Sequence, residues 1–154
     1  TMQKILFVCL GNICRSPLAE GIMLKLISDK NLSIEIDSAG TSNFHVGETP
    51  DYRTVLNAKK HDVDLTPLKA RQFSEKDFED FDSIYVMDKS NMTNVLALAK
   101  NEEQEQKVEL FLNTLFPNQN MEVPDPYFGD EEGFEHVFNL VYSTCEKMIE
   151  KYSN

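Results

Sequence analysis

Ile5-Leu6-Phe7-Val8-Cys9-Leu10-Gly11-Asn12-Ile13-Cys14-Arg15-Ser16-Pro17 joins a short apolar run to an amphipathic segment. Four consecutive apolar residues at 5–8 read as a strand buried on both faces. From 16 to 29, Leu18, Ala19, Ile22, Met23, Leu26 and Ile27 recur at helical spacing. Ser16 reads as the N-cap and Pro17 as the first helical residue. A strand that runs into a helix through so short a turn aims backbone N–H groups and the positive end of the helix dipole at one point. Gly11 and Asn12 are residue types that tolerate the positive φ of an anion-cradling turn.

The pattern continues outward from this unit. Strands are predicted at 34–37, 83–87 and 107–111, and helices at 51–61, 74–81, from 88 to about 100, and 130–152. In the last, Phe134, Val137, Phe138, Val141, Tyr142, Cys145, Met148 and Ile149 form one apolar stripe. Alternation of this kind implies an α/β fold of three layers, with a central four-stranded parallel sheet between helices. Ligands of such folds bind beyond the carboxyl ends of the strands. Two stretches, 38–50 and 116–133, are rich in turn residues and read as loops inside one domain of residues 1–154.

Composition narrows the function classes. The chain has 154 residues, with 15 Lys plus Arg against 26 Asp plus Glu, a net charge of −11. That balance disfavours a nonspecific nucleic-acid binder or a protein held on anionic lipid. No apolar run is long enough to span a membrane. Three cysteines, Cys9, Cys14 and Cys145, do not make a disulfide framework, so a reducing cytoplasm is expected. No signal-peptide pattern precedes the first strand, although export without one stays open. Thr1 ahead of Met2 reads as a cloning remnant.

The side chains of the first turn indicate the kind of anion. Cys9 ends the strand, where the N–H groups and Arg15 favour a thiolate. Arg15 offers a planar fork that can hold two phosphate oxygens at once. A cysteine separated from that arginine by five residues lies beneath the phosphorus of a clamped phosphate. Ser16 can donate to the Cys9 sulfur, and Asn12 can bridge the loop to neighbouring backbone. The plainer alternative makes Cys9 a small buried apolar residue. Nucleotide loops are excluded, because the turn lacks their Gly-Lys-Ser/Thr ending and the glycine spacing of dinucleotide folds. A proton donor for a leaving oxygen is also needed. Asp125, between Pro124 and Pro126, is the candidate, with partial burial favouring its protonated form. Its alternative role is that of a turn-forming Asp. Asp88, between a strand and a helix, reads as an N-cap or loop support.

Cys9 to Ser16 (CLGNICRS), placed so early in the chain, resembles the low-molecular-weight protein tyrosine phosphatases. Asp37-Ser38-Ala39-Gly40-Thr41-Ser42, Pro50-Asp51-Tyr52-Arg53, Ala70-Arg71-Gln72, Met87-Asp88-Lys89-Ser90-Asn91 and Asp125-Pro126-Tyr127-Phe128-Gly129 extend the resemblance over the whole chain, as in a bacterial member. The resemblance implies a phosphatase loop between strand one and helix one. It implies phosphotyrosine hydrolysis through a cysteinyl-phosphate, with Cys9 as nucleophile, Arg15 as clamp and Asp125 as general acid. Leu10, Gly11, Asn12, Ile13, Cys14, Arg15 and Ser16 then bind phosphate, supported by Asn12, Ser16, Ser38 and Asp88. Leu10, Ile13, Phe44, His45, Tyr127 and Phe128 wall the ring of the substrate. Cys14 either protects Cys9 through a reversible disulfide or fills space beneath the loop. Cofactor and metal are not expected, and His45, His61 and His136 share no ligand spacing. The implied partners are phosphotyrosine proteins, met by a monomer, and a tyrosine kinase acting on Tyr127. Phe128 replaces a second tyrosine. Pro67 stands near where some members carry a histidine that supports Asn12, so that support is in question.

Two other readings compete. A thiol-dependent arsenate reductase uses a similar fold and loop, but relays oxidation to a further cysteine pair, and no cysteine lies between Cys14 and Cys145. A silent phosphotyrosine-binding module needs no reactive groups, whereas all are present. The charge of −11 does not forbid an anionic substrate, because residues 9–16 hold no acid. Residues 122–135 hold six carboxylates and no Lys or Arg. That rim is expected to favour phosphotyrosines with basic neighbours.

Overall fold

The structure, a computed structural model, describes residues 2–153; Thr1 lies outside them. Four strands form one all-parallel sheet in the order β2-β1-β3-β4: β1 (Gln3–Cys9), β2 (Ile34–Gly40), β3 (Ser83–Val86) and β4 (Val108–Leu110). β1 is paired on both edges, and packed layers cover both of its faces, as its unbroken apolar run requires. Ile5, Phe7 and Cys9 face one layer, built from α1 (Arg15–Asp29) and α6 (Glu131–Tyr152). Leu6 and Val8 face the other, with Phe73, Phe78, Phe81 and Val95. Phe7 meets Phe111 edge to face at 5.5 Å. The α6 stripe buries Cys145 completely against α1.

Several boundaries differ from the sequence expectation. α1 begins at Arg15, with Cys14 in the cap position and no side-chain cap bond. Ser16 does not cap the helix, because its hydroxyl turns to Cys9 and Asn12 instead. Pro17 is the third helical residue, still within the first turn, where a missing N–H loses no helical bond. β2 extends to Gly40, which also bridges to Gln72. α2 (Tyr52–Lys60) is capped by Asp51, while the helix expected over 74–81 contracts to α3 (Asp77–Asp80). α4 (Lys89–Leu96) stops short of residue 100, and Asn101 caps a separate α5 (Glu102–Glu105). No helix among the described residues is long and apolar enough to cross a membrane.

Candidate active site

The carboxyl end of β1 passes directly into the loop 9–15 and then into α1. Loop carbonyls are engaged away from the turn. Cys9 O accepts from Thr41 N–H and Leu10 O from Ser42 N–H, both at 2.9 Å. Ile13 O accepts from Asp51 N–H at 2.7 Å and Cys14 O from Leu18 N–H at 3.2 Å. A trans peptide points its N–H opposite to its C=O. The N–H groups of Leu10, Gly11, Cys14 and Arg15 therefore each point opposite to an engaged carbonyl. Cys9, Leu10, Gly11, Ile13, Cys14 and Arg15 line a cavity. Asn12 takes the left-handed conformation, with φ at 58°.

Asn12 and Ser16 are buried and are not among the residues that line this cavity. Asn12 Nδ2 donates at 2.8 Å to both Ser16 Oγ and Ser38 Oγ. Its Oδ1 accepts from Arg71 N–H at 3.0 Å. Asn12 therefore has its partners without Pro67, which is exposed. Ser38 Oγ in turn donates to Glu20 Oε1 at 2.5 Å. Since Ser16 Oγ accepts from Asn12, its own hydrogen can go to Cys9 Sγ at 2.9 Å, with Ala39 O a longer choice at 3.4 Å. That arrangement sets a hydroxyl donor beside the Cys9 sulfur.

Arg15 is buried, with Nη1 donating to Asp88 Oδ2 at 2.7 Å and to Val123 O at 3.0 Å. Burial works against its charge, but Cys9, Asp88 and Asp125 more than offset that and hold it above its ordinary value. Asp88 combines both roles considered for it. Its Oδ1 accepts from Asn91 N–H in the α4 capping box, and its Oδ2 holds Arg15. Val123 N–H donates to Met87 O at 2.8 Å, which brings the loop carrying Asp125 to the same end of the sheet. Asp125 Oδ2 lies 3.5 Å from Arg15 Nη2, and Oδ1 accepts from Tyr127 N–H at 3.1 Å. The Asp125 side chain is 42% exposed. The partial burial expected for Asp125 is thus not found, and its carboxyl keeps its contact with solvent.

Phe44, His45, Tyr127 and Phe128 complete the lining with Leu10 and Ile13, and Ser42 joins them. Tyr127 and Phe128 meet edge to face at 5.0 Å, with Phe128 almost wholly in solvent. Burial pushes the Cys14 thiol up to about 12, and the nearby Thr54 hydroxyl offsets only part of that rise. A thiol held in that form is a poor partner for exchange, which favours the space-filling role. Among the described residues no group of three or more His, Cys, Asp or Glu side chains could hold a metal ion.

Sequence reasoning missed Glu20, Ser42, Arg53 and Arg71. Arg53 and Arg71 stood inside the quoted motifs, but nothing local indicated what they would touch. Of the six carboxylates at 122–135, only Asp125 lines the cavity. Glu122 accepts from Lys89 N–H and Glu135 binds His61 and Asn57, so two of the six are directed elsewhere.

Residues 4–154 match the family described as low molecular weight phosphotyrosine protein phosphatase. A Synechocystis protein of that family name is 44% identical over 149 residues, covering 96% of this chain and 94% of the relative. The chicken low molecular weight phosphotyrosine protein phosphatase is 39% identical over 153 residues, covering 97% and 96%. Among solved structures, a protein tyrosine phosphatase from Entamoeba histolytica, with Hepes in its active site, superimposes with a TM-score of 0.90. It is 37% identical and is matched over 98% of this chain and 97% of its own. With the Cys9 loop, buried Arg15 and the Asp125 loop meeting at one end of a parallel sheet, and with these relatives matched over nearly its whole length, the chain belongs to the low molecular weight phosphotyrosine protein phosphatase family.

Proposed function

We infer that Cys9, Arg15 and Asp125 carry the phosphotyrosine-protein phosphatase activity of this chain as nucleophile, clamp and general acid. Cys9 Sγ attacks phosphorus in line with the phenolic oxygen. Arg15 and the loop N–H groups hold the non-bridging oxygens, and their positive field stabilises charge in the transition state. Asp125 gives its proton to the departing phenolate, leaving a cysteinyl-phosphate and neutral tyrosine. It then takes a proton from water, whose oxygen attacks phosphorus and releases Cys9 as a thiolate with inorganic phosphate. The observation that carries this reading is the 2.9 Å Ser16–Cys9 contact at the base of a cavity that Arg15 and Asp125 also line.

Cys9→Ser is expected to abolish phosphate release from phosphotyrosine, and retention of full activity would overturn the assignment. Asp125→Ala is expected to slow poor leaving groups most. Leu10, Ile13, Phe44, His45, Tyr127 and Phe128 are proposed to grip the ring, and Cys14 to fill the space under the loop. We place the activity in a cytoplasmic monomer of one domain, consistent with three free, buried cysteines. Tyr127, 37% exposed, is the proposed acceptor for a tyrosine kinase.

A further inference from the structure

Residues 117–130 contain no helix or strand, yet they carry Asp125 and Tyr127. Tyr127 uses both of its backbone groups. Its N–H donates to Asp125 Oδ1 at 3.1 Å, and its carbonyl accepts from Arg53 Nη2 at 2.6 Å. The Arg53 guanidinium lies over the Tyr127 ring at 5.5 Å and over the Phe134 ring at 4.7 Å. Its Nε and Nη2 also fork onto Asp51, each at 3.2 Å. Asp51 is itself fastened to the phosphate loop, since its N–H donates to Ile13 O at 2.7 Å. A continuous path of bonds therefore runs from Ile13 through Asp51 and Arg53 to Tyr127 and Asp125.

Resting on the acid role of Asp125 given above, we propose that Arg53 is a positioning residue that ties the acid loop to the phosphate loop and so holds Asp125 over the leaving oxygen. Only a guanidinium can fork onto Asp51, reach a carbonyl and stack on two rings together. A lysine would keep the charge and lose that geometry. Arg53 is 45% exposed, and half-exposed pairs add little to stability. Its effect belongs in the chemistry, where proton delivery depends on sub-ångström placement.

The test compares kcat/KM of the wild-type chain, Arg53→Ala, Arg53→Lys and Asp125→Asn over aryl phosphates, from p-nitrophenyl phosphate to phenyl phosphate. General acids contribute roughly 100-fold or more, and a misplaced one loses part of that. Arg53→Ala is expected to lose about tenfold on phenyl phosphate and under about threefold on p-nitrophenyl phosphate. Vanadate inhibition should be unchanged, since the phosphate loop keeps its own supports. Arg53→Lys should share the defect, and it also serves if the alanine variant does not fold. Equal losses on both esters, or none, would overturn the proposal while a steep Asp125→Asn series left the acid role standing. A flat Asp125→Asn series would overturn the acid role and the Arg53 proposal with it.

Discussion

Replacing Glu20 with glutamine should stabilise this protein at alkaline pH and leave it nearly unchanged at acid pH. Glu20 sits on α1, 8% exposed, beneath the chain of hydrogen bonds that leads to Cys9. Burial pushes its carboxyl from an ordinary 4.5 up to about 7. The Ser38 hydroxyl and Arg71 work in the opposite direction, and Asp37 adds to the rise. Because the folded carboxyl holds its proton more tightly than the unfolded one, its contribution to stability is complete below pH 4.5. That contribution is lost as pH rises through about 7. A shift of this size corresponds to about 3 kcal/mol between those limits. The amide introduced by Glu20→Gln imitates the protonated carboxyl, still offers Ser38 an acceptor, and does not titrate. Urea unfolding of both proteins from pH 5 to 8.5 measures the effect, and other titrating groups cancel in the difference. The stability gap should widen from under about 1 kcal/mol at pH 5 to about 3 kcal/mol at pH 8.5 in favour of the variant. Parallel pH profiles would refute the reasoning.

Three further outcomes follow from the same geometry. A Cβ at Gly40 would lie 2.8 Å from Leu10 O and 3.0 Å from Asn12 N, both backbone atoms that no rotamer change can move. Gly40→Ala should cost about 1–3 kcal/mol in chemical unfolding and weaken vanadate binding. Ser16→Ala removes the hydroxyl at the Cys9 sulfur. A hydrogen bond to a charged group is worth about 1.5–3 kcal/mol, so kcat should fall by about tenfold or more in steady-state assays. Phosphotyrosine peptides with Lys or Arg neighbours should be hydrolysed faster than peptides with acidic neighbours. Raising salt from low to high concentration should shrink that ratio, through the screening of Asp125, Asp130, Glu131 and Glu132.

Local chemistry carries far in this chain. The apolar run at 5–8 needs a central strand, and the apolar stripe at 134–149 needs a helix against α1. Both requirements involve only periodicity, which is written in neighbouring residues. Cys9, Arg15 and their turn are legible for the same reason, since one short stretch suffices to describe an anion loop. Boundaries are less legible. Ser16 has the residue type of an N-cap, but a better partner, Cys9, decides where its hydroxyl goes.

What the tertiary structure alone decided are the partners that lie far apart along the chain. Asn12 meets Ser38 and Arg71, Arg15 meets Asp88 and Val123, and Arg53 meets Tyr127. No periodicity encodes these pairs, because they exist only where the sheet order β2-β1-β3-β4 brings loop ends together. The exposure of Asp125 and the raised proton affinity of Glu20 arise in the same way. The residue type supplies a carboxyl, and packing decides how much water each one keeps.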